Sequence, residues 1–375
     1  MHQGGTWVIS RGARGLSSAS FDRHAWKMTS VAVLDVVTPE PPVSRASDFA
    51  ALCERITAAG LMKRRHGYYI AKVSLTVGFY IACWVAFAFV GASWWQLAVG
   101  VALAFGTTQV AFLGHDFGHR QIFRTRRPSE VAGLVLGNLG VGMSYGWWMS
   151  KHTRHHANPN HEDEDPDVAI GALAWTPEQA QSRTGFMKFM ARWQAYIFFP
   201  LLFLEGLNLH VAGIKEVMTV PLRHRKWEAT LLVAHLIIYL TAVFLVLPVG
   251  MGFAFIAVHQ ALFGFYMGCS FAPNHKGMPI LTADDNLDYL RKQVLTSRNV
   301  AGGPVTDFML GGLNYQIEHH VFPSMPRSNL HKAQPIVREF CRERDVSYME
   351  SSVYDSYAMG LAYLNEVGKS VQDSK

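Results

Sequence analysis

The sequence predicts an all-α integral membrane protein: two transmembrane helical hairpins, four spans in all, with interfacial helices between them and a cytoplasmic helical cap. Three observations carry this expectation. Of the 375 residues, 50% are hydrophobic and only 17% charged, whereas an ordinary soluble domain has about 25% charged residues. Four apolar segments, about 69 to 91, 94 to 113, 228 to 247 and 251 to 272, each approach the roughly 20 residues that a helical span needs. The links inside each pair, "GAS" before Trp94 and "LPVGMG" around Gly250, carry no charge, while the outer flanks carry "MKRRH" (62 to 66), "RQIFRTRR" (120 to 127) and "LRHRK" (222 to 226). Lys and Arg accumulate on the cytoplasmic side of a membrane, so both hairpins enter and leave there.

Taken along the chain, residues 1–47 read as a disordered leader and linker. They hold Arg11, Arg14, Arg23 and Lys27 but no signal-peptide core, and end in the Pro-containing "TPEPPVSR". A short amphipathic helix from Phe49 to Leu61 opens a membrane domain over 48–345, and 346–375 is a C-terminal tail. Two further apolar stretches, about 130 to 149 and 193 to 214, need separate placement. The first contains five glycines and the second is interrupted by Glu205, Asn208 and His210, so both are expected at the interface or re-entrant within protein rather than crossing. The net charge of +6 raises the question of nucleic acid, but the basic residues sit beside apolar runs as anchors, and no nucleic-acid partner is expected. The four cysteines are too scattered for a disulfide framework or a CxxC metal knot.

With two hairpins, everything between and after them lies on one side of the membrane. Four histidine groups therefore meet there: "HDFGH" (His115, His119), "HTRHH" (His152, His155, His156), "NH" (His275) and "QIEHH" (His319, His320). Spacings of i, i+3 and i+4 share a helix face, so His115 with His119, and His152 with His155 and His156, can point at one centre. Zinc is saturated by about four ligands, whereas eight imidazoles suit two metal ions with positions left open. Spacing alone does not name the metal. His235 and His259 lie inside spans and read as structural, and His161, beyond Pro159, is open as a ligand or a supporting group.

HDxxH, HxxHH and QxxHH, in this order on a two-hairpin frame, resemble the membrane fatty-acid desaturase family over about residues 66 to 345. The resemblance implies a cytoplasmic cap holding two iron ions (Fe2+/Fe3+) on His115, His119, His152, His155, His156, His319 and His320, with His275 as an additional ligand. It implies O2 as co-substrate and desaturation of a long-chain acyl substrate, acyl-CoA or acyl-lipid. Gln316, at the head of the third motif, resembles the front-end subgroup, with delta-6-like, linoleoyl-type regiochemistry. The 375 residues contain no HPGG haem motif, so a separate donor is expected, a ferredoxin or cytochrome b5 with its reductase. The chemistry also points to a redox metal, because an unactivated methylene offers neither an acidic proton nor a carbonyl.

Ligating imidazoles commonly donate their outer N–H to a carboxylate or other acceptor. Asp116, Asp165, Asp167, Asn274, Gln316 and Glu318 are the candidates for such supporting roles, with His161, while Glu162 to Glu164 read as a solvated loop. Gly302, Gly303, Gly311 and Gly312 lack phosphate-loop spacing and read as turns or close packing. A hydroxylase on the same ligands is the nearest rival, and a membrane metal or haem carrier the rival of another class. The expected surroundings are membrane lipids, in a bacterial inner membrane with the site facing the cytoplasm, or alternatively the endoplasmic reticulum.

Overall fold

The computed structural model describes residues 45–371, so the expected leader and linker lie outside the described residues up to Arg45. There α1 begins (Arg45–Ala58), running over the cap as the amphipathic helix. The first hairpin is α2 (His66–Val90) and α3 (Gln96–Gly118). At its apex the Gln96 amide donates to the carbonyls of Phe87 and Gly91, 2.7 and 2.9 Å, satisfying groups that the end of α2 leaves free. One side of α2 presents Ile70, Leu75, Ile81 and Phe89 as exposed residues. Such a surface needs lipid around it.

The glycine-rich stretch forms α4 (Arg126–Leu134), which continues through a π-helical segment, Val135–Val141, and turns back at Gly142. This is the re-entrant element expected from sequence. Irregular backbone at membrane depth must be satisfied by protein, and three side chains from the spans do so. The carbonyls of Leu139, Gly140 and Gly142 accept from His235 Nδ1, the Tyr80 hydroxyl and His210 Nδ1, each at 2.8 Å. His259 bonds Thr107 and Tyr239. The intramembrane histidines are thus structural, as read.

The next helix, α5 (Tyr145–Ala157), starts at Ser144, whose Oγ accepts from Trp147 N. The Glu228 carboxylate accepts from Ser144 Oγ at 2.5 Å and Gly146 N at 3.1 Å, which places negative charge at the helix's positive end. Short helices α6 (Pro177–Gln181) and α7 (Gly185–Arg192) lead to α8 (Gln194–Thr219), then α9 (Arg225–Val246) and α10 (Val249–His275) form the second hairpin.

Among the described residues five helices are therefore long and apolar enough to cross a membrane, one more than the four expected, the extra one being α8. Its contacts decide how it lies. At one end Gln194 donates to the carbonyls of Ala174 and Leu364, and at the other Arg225, at the start of α9, donates to those of Val217 and Met218. Both ends are held on the side where α3 and α10 finish. Its polar residues do not interrupt it, because Asn208 bonds Glu205 on the exposed face. Where α8 crosses α10, Gly206 and Gly264 bring backbone against backbone; a Cβ on Gly264 would stand 2.8 Å from the Leu202 carbonyl oxygen. Only glycine permits that approach.

The cap is built from α11 (Tyr289–Leu295), α12 (Pro304–Met309), α13 (Gln316–Val321) and α14 (Arg327–Glu343). Leu52, Ile56, Leu290, Val294, Ile317, Val337 and Phe340 make its core. Residues 346–371, read as a tail, contain β2 (Glu350–Ser351), paired in parallel with β1 (Asn299–Val300), and α15 (Val353–Lys369), whose Leu364 and Val367 are buried against the neighbouring helices. This segment closes the cap. Gly311 and Gly312 have positive φ, 62° and 75°, and form the turn before α13, in keeping with the turn reading.

Candidate metal centre

The ends of α3 and α10, the body of α5 and the short α13 meet beneath the cap. The eight histidines arrive from these four elements in two groups. One comprises His115, His119, His152, His156 and His319; the other comprises His155, His275 and His320; within each group one ligand atom per residue lies within 4.8 Å of the rest. Successive residues of a helix point about 100° apart, so His319 joins the first group and His320 the second. The same geometry divides the second motif. His152 and His156 stay together at i, i+4, while His155 turns to the other group, which corrects the expectation of one shared centre.

The protonation of the rings matches ligand duty. Burial, and then the proximity of His155, pushes His119 down to about 3. His152, His156, His319 and His320 are likewise held well below the usual imidazole range by burial, then by one another. Neutral imidazoles keep a lone pair for a metal. In the second group a hydrogen bond fixes which nitrogen keeps it. Nδ1–H of His275 donates to the Thr296 carbonyl at 3.0 Å, that of His320 to Gln293 Oε1 at 2.9 Å, and that of His155 to Asp165 Oδ2 at 2.9 Å. All three thus turn Nε2 inward.

In the first group Nε2 of His152 lies 2.7 Å from that of His119 and 3.1 Å from that of His156. Both ring nitrogens of His115 and His319, and Nε2 of His320, are buried without a hydrogen-bond partner among the described residues. Buried polar atoms are almost always paired, so this convergence of unpartnered nitrogens is what a pair of cations would satisfy. Trp148 stacks on His152 with ring centroids 4.6 Å apart and forms one wall.

The proposed supporting groups divide. Asp165 is placed as expected: its Oδ2 also accepts from Asn160 N, 2.7 Å, and its Oδ1 from Asp167 N, 2.8 Å. Asp167 lies 3.4 Å from His155 Nδ1. Burial opposes its charge, but Lys151 at 2.6 Å, with His155 and Lys276, holds its carboxyl well below the usual range. Gln316 brings its Nε2 to 2.8 Å from His275 Nε2, and Asn274 donates to the Leu313 carbonyl beside it. Asp116 and Glu318 do something else. Asp116 accepts from Arg327 Nη2 at 2.7 Å and Nε at 3.1 Å, with His115 Nδ1 no nearer than 3.7 Å. Glu318 accepts from Asn299 and Tyr348, 2.7 and 2.8 Å. Asp116 thus serves Arg327 first and stands beside His115 without a hydrogen bond to it, and Glu318 serves the cap. His161 is in neither group; its Nδ1 accepts from Asp163 N at 3.3 Å.

Sequence reasoning missed several residues. Gln293, within α11, and Thr296, at its C-terminal end, support histidines from a helix with no motif. Arg298 is fully buried and donates to the carbonyls of Pro273, Lys276 and Ser356. It thereby satisfies the end of α10 that carries His275, and burial lowers it to about 10.

Fold and site together define a helical membrane protein with a histidine-lined metal centre at one face. The fatty acid desaturase family matches residues 92–352, and the chain belongs to that family. A delta-6 fatty-acid desaturase of Caenorhabditis elegans is 30% identical over 86% of this chain and 75% of its own length. An acyl-lipid (9-3)-desaturase of the moss Physcomitrium patens is 28% identical over 99% and 73%. A delta-8 fatty-acid desaturase of the sunflower Helianthus annuus is 28% identical over 87% and 74%. The protein is a fatty acid desaturase acting on fatty acyl chains in membranes. Nothing in these likenesses supports the hydroxylase or carrier readings, or the bacterial inner membrane.

Proposed function

We propose that the two histidine groups hold one iron ion each and that the protein inserts a front-end double bond into a long acyl chain, with delta-6-like regiochemistry. In the overall reaction, O2, two electrons and two protons, with two hydrogens from adjacent methylenes, give a double bond and two waters. The observation that carries the reading is the convergence of eight buried imidazoles, five and three, with unpartnered nitrogens on His115, His156, His319 and His320 among them. Two irons with O2 supply the oxidant that an unactivated methylene requires. The chain's own residues keep the site dry and orient the rings: Asp165, Thr296 and Gln293 fix the second group, and α13 carries one histidine to each group.

Gln316 and the activities named for the nematode, moss and sunflower relatives support front-end insertion. The substrate is an acyl-CoA or an acyl-lipid. Electrons come from a cytochrome b5 or a ferredoxin with its reductase, arriving at a cytoplasmic face marked by Arg64, Arg120, Arg124, Arg223 and Arg225. The test is expression in a host with a simple fatty-acid profile, fed saturated, oleic and linoleic acids with donor and reductase supplied. Double bonds are then located by mass spectrometry, lipid class by class. A new double bond between the carboxyl group and an existing one, absent with His155→Ala, is expected. A hydroxylated product, or a double bond only on the methyl side, contradicts the reading.

A further inference from the structure

A cavity of about 740 Å³ lies between α2, α3, α12 and the start of α14, and none of the eight histidines lines it. It is separate from the reaction centre and it is amphipathic. Leu75, Phe79, Phe105 and Phe308 line its apolar part, the rings of Phe79 and Phe308 standing 5.8 and 5.9 Å from that of Phe105. At the cap end it is lined by Lys72, Arg327, Ser328 and His331.

Two donors of residues at that end lack hydrogen-bond partners among the described residues. Arg327 is 7% exposed; its Nε and Nη2 are spent on Asp116 and the Phe112 carbonyl, while Nη1 bonds nothing. Ser328 Oγ is also buried without a partner, in the first turn of α14, where helix amides favour an anion. Lys72 contacts Gln109 Oε1 at 3.1 Å and the Phe308 ring at 4.7 Å, but no carboxylate within ion-pair distance among the described residues. The one acid in the lining, Asp307, is engaged by Asn314 and Tyr315. Unpaired donors and an unpaired cation beside an apolar slot call for an anion attached to a hydrocarbon chain.

We propose that this cavity binds an anionic phospholipid from the surrounding bilayer, its phosphate at Arg327, Ser328 and Lys72 and one acyl chain along Leu75, Phe79, Phe105 and Phe308. The lipid is a resident ligand, distinct from the chain that reacts. Through Arg327 its head touches the same guanidinium that holds Asp116 beside His115.

The test is native mass spectrometry of the full chain in mild detergent, titrated with dioleoyl-phosphatidylglycerol, dioleoyl-phosphatidylcholine or inorganic phosphate. One phosphatidylglycerol is expected to be retained, at least about tenfold more tightly than phosphatidylcholine. Lys72→Gln and Ser328→Ala each weaken it by about tenfold, the scale of a lost hydrogen bond to a charged group. Lys215→Gln, on exposed α8 surface, leaves it unchanged. Equal retention of the two lipids, or phosphatidylglycerol binding unaffected in both variants, overturns the proposal. Displacement by inorganic phosphate alone overturns the lipid assignment, and lost desaturation with undiminished phosphatidylglycerol binding reassigns the cavity to the reacting chain.

Discussion

Replacing Asp165 with Asn separates the two histidine groups experimentally. The carboxylate is buried, 1% exposed, and accepts three hydrogen bonds, from His155 Nδ1, Asn160 N and Asp167 N. Asn keeps the shape and one acceptor oxygen but loses the charge that holds the His155 ring with Nε2 inward. Removing such a supporting carboxylate weakens metal binding by about 10- to 100-fold, or roughly 1.4–2.8 kcal/mol. Of the two histidine groups, His155 belongs to the group of three, and it also stands with Asp165 and Asp167, so the loss falls on one ion. Iron per chain is measured by plasma mass spectrometry during graded exposure to a chelator. The wild type loses both irons together at high chelator, and Asp165→Asn loses one early and one at the wild-type concentration. Asp167→Asn, whose oxygen is 3.4 Å away, has a smaller effect. Loss of both irons in parallel, or none, refutes the five-and-three partition.

Other substitutions probe the frame. Arg327→Met strands the Asp116 carboxylate, 1% exposed, beside His115, and breaking a buried pair costs about 3–5 kcal/mol; folded yield by size-exclusion chromatography falls sharply, and Asp116→Asn in the same chain restores part of it. Gly206→Leu drives a side chain into the backbone of α10 and abolishes folded protein, whereas Gly67→Ala, with nothing within 4 Å, changes thermal stability by less than about 0.5 kcal/mol. His161→Ala retains wild-type iron content and product yield, because that ring is outside both groups; a loss of one iron would restore it as a ligand.

The spans and the histidines were legible because both are local patterns: apolar length, charge at the ends, and i, i+4 spacing on a helix. Topology then brought distant motifs to one face. The orientation of α8 was harder, since hydropathy is the same for a helix that crosses and one that lies across its neighbours; contacts at Gln194 and Arg225 distinguish them. The five-and-three division depends on how α5 and α13 are turned, which spacing does not report. For Asp116 and Glu318 the sequence did not show the hydrogen-bond partners, because adjacency in sequence is not adjacency on a helix. Their hydrogen bonds to Arg327 and Tyr348 reach 211 and 30 residues along the chain, and the Arg298 contacts to the end of α10 likewise leave no local signal.

The most direct test of the central claim is an anomalous difference map collected at the iron edge from crystals of the purified protein. The account predicts two iron peaks, one within reach of His115, His119, His152, His156 and His319, the other of His155, His275 and His320. A single peak, or a second iron bound away from His155, His275 and His320, would contradict it.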